Sequence, residues 1–135
     1  MPQEEEELKE SNYFDSKAYM SYSEYKDFKE CEAKAMAKIR GDYKEPENKA
    51  YLMGGYVDAY FSGQEKKFTD RHPEIYGRNG LKSDFVQCDE IIKSIEGDDY
   101  FHSFYQGKAQ VIETGIIAGV PFKGKFDFLT DDRIV

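Results

Sequence analysis

The strongest constraint on the fold is a single change of hydrophobic period, at Gly107. Before it, apolar residues recur at helical spacing; after it, they alternate. Such a chain is expected to fold as α+β, with three to four N-terminal helices packed on a short antiparallel β-hairpin or three-stranded sheet.

The helical part divides at its start and stop signals. Ser21 followed by Glu24 reads as a capping box, and Tyr22, Tyr25, Phe28, Ala35, Met36 and Ile39 recur until Gly41, which predicts one helix over 22–39. Pro46 and Asn48 announce a second helix, about 49–61, with Ala50, Met53, Val57 and Phe61 on one face and Gly63 as its stop. Gly54 and Gly55 within it cost roughly 1 kcal/mol each relative to alanine, so they indicate close approach by another helix or by a ligand. The polar stretch Lys66 to Leu81, with Pro73, Gly77 and Gly80, reads as a connecting loop with one helical turn. Unstructured loops of that length often line a functional surface or a partner contact. Ser83 opens a third helix carrying Phe85, Cys88, Ile92 and Ile95 and closed by Gly97, and a short helix follows near Asp99 to Tyr105.

The strand part is a hairpin, Ala109 to Ala118 and Val120 to Leu129, rich in β-branched and aromatic residues. In the return strand Phe122, Phe126 and Phe128 face one way and Lys123, Lys125 and Asp127 the other. The two lysines are read either as phosphate contacts or as a solvated face. Thr130 to Arg133 make a turn, and Ile134 and Val135 start a third strand.

Charge narrows the range of partners. The net charge is −8, of which the six acids and one lysine of Met1 to Ser16 contribute −5. Residues 1–12 are expected to form an acidic N-terminal arm ahead of a single domain, 13–135. An acidic chain is poorly suited to neutralising phosphates, so direct nucleic-acid binding is disfavoured. Cys31 and Cys88 are far apart and lack further ligands at metal spacing, which suggests two buried thiols in a reducing cytosol. His72 and His102 have no partners at metal or triad spacing. No apolar run approaches the roughly 18 residues of a membrane span.

A resemblance emerges along the order of the elements. Gly119-Val-Pro-Phe-Lys-Gly-Lys-Phe-Asp-Phe-Leu-Thr-Asp-Asp-Arg-Ile-Val135 resembles the hairpin of the phage PD-(D/E)xK exonucleases of RecB/RecE type, where an acid on one strand precedes [DE]-x-K on the next. Asp127 matches the first acid. Tyr51 to Phe61 resembles the family's glycine-containing helix, whose later polar position contributes to the metal site, and Asp58 occupies that position here. Ser21 to Cys31 is similar to the family's opening helix. The resemblance runs from about Tyr19, and the second acid and the lysine would fall just beyond Val135.

The resemblance implies Asp58 and Asp127 as a partial set of metal ligands and Mg2+ as the cofactor of a completed site. Such a nuclease needs several oxygen ligands and a lysine, so this stretch by itself is expected to hold no cofactor and not to hydrolyse DNA. The favoured reading is an incomplete nuclease-like phage protein, cytoplasmic in its bacterial host, that acts by binding. Its acidic arm, with Glu4, Glu5, Glu6, Glu7 and Glu10, would plug a basic protein surface such as the groove of a host-defence effector nuclease, as anti-CRISPR proteins do. The alternative is the N-terminal portion of a Mg2+-dependent DNA exonuclease; a weaker one is a structural module. An open sheet edge at Ile134 and Val135 would also allow a homo-oligomer.

Overall fold

A computed structural model describes residues 7–135, so the expected partner-binding residues Glu4, Glu5 and Glu6 lie outside the described residues. In chain order the elements are α1 (Tyr22–Glu30), α2 (Glu32–Arg40), α3 (Lys49–Phe61), α4 (Glu65–Arg71), a 3-10 turn (Pro73–Ile75), β1 (Tyr76–Gly77), β2 (Gly80–Leu81), α5 (Ser83–Glu96), α6 (Asp99–Ser103), β3 (Lys108–Ile117) and β4 (Val120–Leu129). β1 pairs with β2 and β3 with β4, each as a two-stranded sheet. This is the α+β architecture expected. The chain divides into two compact units, Met1–Glu45 with Val111–Phe126, and Pro46–Gln110 with Asp127–Val135.

In the first unit, both halves of the Ser21/Glu24 capping box form and start α1. The single helix expected over 22–39 is two helices, broken at Cys31, whose backbone is extended (φ −159°, ψ 104°). Neither glycine nor proline marks the break, so periodicity could not reveal it. Side-chain charge ties the two helices together instead: Lys38 on α2 pairs with Asp27 on α1 at 2.6 Å and with Glu45 at 3.5 Å. Cys31 is exposed, against the expectation of a buried thiol, because it occupies this corner; Cys88 is buried as expected.

Lys123 on β4 also corrects the sequence reading. It is neither solvated nor available to phosphate: it is 5% exposed, and its ammonium donates to the carbonyls of Tyr13 and Ser16 and lies 4.8 Å from the centre of the Tyr13 ring. Lys125 lies over the Phe14 ring at 5.1 Å. Both lysines therefore clamp the turn that precedes α1 rather than facing a ligand. Lys123→Met keeps the stem but strips the donor from both carbonyls, and should destabilise the protein by about 2 kcal/mol in urea unfolding.

In the second unit, Asn48 caps α3 by accepting from the Ala50 N–H at 2.8 Å. The core consists of Tyr56 from α3, Ile75, and Phe85, Cys88 and Ile92 from α5, with Leu52, Met53, Val57, Phe61, Phe68 and Leu81 around it. The Tyr56 hydroxyl donates to Asp89 at 2.7 Å, so the buried ring keeps a partner for its polar end. The stretch expected to be a loop, 66–81, holds α4, the 3-10 turn and the β1–β2 hairpin. Three of its large apolar residues explain the order: Phe68, Ile75 and Leu81 all reach the core, Ile75 with no exposed surface, while Tyr76 stays exposed. A Cβ on Gly55 would lie 3.0 Å from the Phe68 ring, so this glycine serves helix packing, while Gly54 has open space.

The end of the chain is paired. Ile134 bridges Leu129 in antiparallel sense, Val135 and Phe128 exchange N–H to carbonyl bonds at 2.9 and 3.2 Å, and the Asp127 N–H also donates to Val135 at 2.9 Å. The turn between them closes with Thr130 N–H donating to the Arg133 carbonyl at 2.9 Å.

Candidate metal centre

Asp58, Gln110 and Asp127 come from three elements of the second unit. Asp58 is half-buried on α3, one residue before buried Ala59. The side-chain amide of Gln110 on β3 donates to an Asp58 carboxylate oxygen at 3.3 Å. That bond joins residues 52 apart in sequence and ties the helix to the hairpin.

The hairpin carries Gln110 on one strand and Asp127 on the other. Its loop consists of Ala118 and Gly119, both at positive φ (51° and 77°), the pattern of a type I′ turn. It joins β3 to β4, two strands of 10 residues each that pair in one sheet. Asp127 is exposed, while its neighbour Phe128 is 2% exposed. The Asp127 peptide is held by its bond to Val135.

Carboxylate oxygens suit Mg2+ or Mn2+, and an amide oxygen is an acceptable companion ligand. Among the described residues no group of three or more His, Cys, Asp or Glu could hold a metal, so Asp58 and Asp127 would need further ligands to form a site. Gln110 was not foreseen. A lone glutamine in a β-rich stretch carries no sequence signal, and what distinguishes it is a backbone φ of +54°.

The other candidates are elsewhere. Glu7 and Glu10 are exposed. His72 bonds Glu74 at 2.9 Å and His102 bonds Gln106 at 3.1 Å. An open cleft of about 520 Å³ lies beside Tyr60, Glu96, His102 and Tyr105, and neither Asp58 nor Asp127 lines it. In it the Tyr60 hydroxyl donates to Glu96, and that bond raises the pKa of Tyr60.

Residues 21–135 match the family described as PDDEXK-like domain of unknown function (DUF3799). The chain belongs to this PDDEXK-like family. A similar solved structure is that of a "putative exonuclease" from Eubacterium rectale, with 39% identity and a TM-score of 0.87 over 93% of this chain and 51% of that one. The chain thus spans about half the length of that relative. No curated protein sequence matches it. The family and the fold class implied by the hairpin and helix motifs are therefore correct for this PDDEXK-like chain. No helix among its described residues is long and apolar enough to cross a membrane.

Proposed function

We propose that the chain contributes Asp58 and Asp127 to the metal site of a DNA exonuclease. One observation carries this reading: the Gln110 amide bonds the Asp58 carboxylate to β3, the strand paired with β4, which bears the acid that matches the family's first strand carboxylate. The 39% identity to the Eubacterium rectale protein supports the same class of activity. A bound Mg2+ would polarise the phosphate and lower the pKa of an attacking water. The chain's own part is to fix two hard oxygen donors, one on a packed helix and one on a strand. The expectation of an acidic inhibitor rests on charge and on the lack of the later acid and lysine in this stretch, and no structural observation favours it over the nuclease reading.

The test is Mn2+ titration followed by NMR. Paramagnetic broadening should centre on Asp58, Gln110 and Asp127, and Asp127→Asn should weaken affinity about tenfold, a usual cost for losing a charged ligand. Broadening centred elsewhere, or unchanged in Asp127→Asn, would overturn the proposal. With linear duplex DNA and Mn2+, any degradation should disappear in Asp127→Ala; degradation surviving that change would also refute it.

A further inference from the structure

Two non-glycine residues among the described ones have positive φ. Ala118 is accounted for by the hairpin loop. Gln110 is inside β3, where a left-handed backbone interrupts the regular ladder and strains an L-amino acid. Such irregularities in strands re-aim side chains and concentrate next to functional sites. Here the side chain so re-aimed is the one that donates to Asp58.

The geometry points to Gln110 as a positioning residue that holds the Asp58 carboxylate in a metal-binding orientation, at the cost of local backbone strain. The inference rests on the metal-site reading above. An amide donor to a ligating carboxylate restricts its rotation. A glycine at 110 would suit the backbone better than glutamine does, since it meets no penalty at positive φ. The position thus carries a residue that its own backbone disfavours, and what that residue supplies is the bond to Asp58.

Two substitutions separate function from stability. Gln110→Gly relieves the strain and removes the amide; Gln110→Met keeps the strain and the length and removes the amide. Both should bind Mn2+ about tenfold more weakly than the wild type, the lower end of what loss of an outer-shell partner costs. The Gly variant should melt at or above the wild-type temperature, and the Met variant at or below it. Wild-type affinity in the Gly variant would overturn the inference and leave the metal site standing. A fall in the melting temperature of the Gly variant parallel to its fall in affinity would also overturn it, since the bond would then be structural. If the wild type shows no broadening at Asp58 and Asp127, both readings fail.

Discussion

Gly107→Ala should destabilise the protein by about 4 kcal/mol, the sum of a forbidden backbone conformation and a steric overlap. Gly107 has φ +110°, a region that residues with a Cβ rarely adopt. A Cβ built there would lie 2.5 Å from the Leu129 carbonyl oxygen and 2.7 Å from the Thr130 methyl group. The first of these neighbours is backbone in β4, so it cannot rotate aside as a side-chain tip could. Relief requires the start of β3 to move away from the end of β4, next to Phe128 in the interior. Urea unfolding gives the measurement. A loss below about 1 kcal/mol would mean that the junction is softer than its geometry indicates.

Ile75→Ala should cost about 3–4 kcal/mol, in the range for a fully buried branched side chain whose site cannot collapse. Ile75 has no exposed surface and sits among Tyr56, Phe85, Cys88 and Ile92, side chains from two helices. Its carbonyl also accepts from the Lys82 N–H at 3.0 Å, which anchors the β1–β2 hairpin from the same residue. The side-chain deletion leaves that bond intact, so the loss should be that of a cavity, with an unchanged dependence on urea. Ile75→Val, which removes one methyl group, should cost about 1 kcal/mol. Equal costs for the two changes would show that the interior around Ile75 repacks freely.

How well the sequence announced each element depended on what stabilises it. α3 is bounded as expected, because Asn48 is a local cap and the apolar spacing is regular. The hairpin was also legible, since alternation and the glycine after Ala118 are local signals. The corner at Cys31 was not, because it depends on the charges of Asp27, Lys38 and Glu45, which meet only after the helices fold back. The region 66–81 looked unstructured because its order comes from three scattered apolar residues reaching the core, not from periodicity within the segment. Asp58 and Asp127 were suggested as ligands by motif resemblance, not by any local signal. Gln110 was missed because its role depends on a backbone angle and on a partner in a distant helix.

Asp127 is held in the sheet through its peptide group, while its carboxylate faces outward and supports no packing. The acid is therefore separable from the scaffold. On the metal-site proposal, drift at this codon would remove a ligand while leaving the architecture intact, so relatives that share the shape need not share a reaction. Overall likeness in shape will not tell such relatives apart.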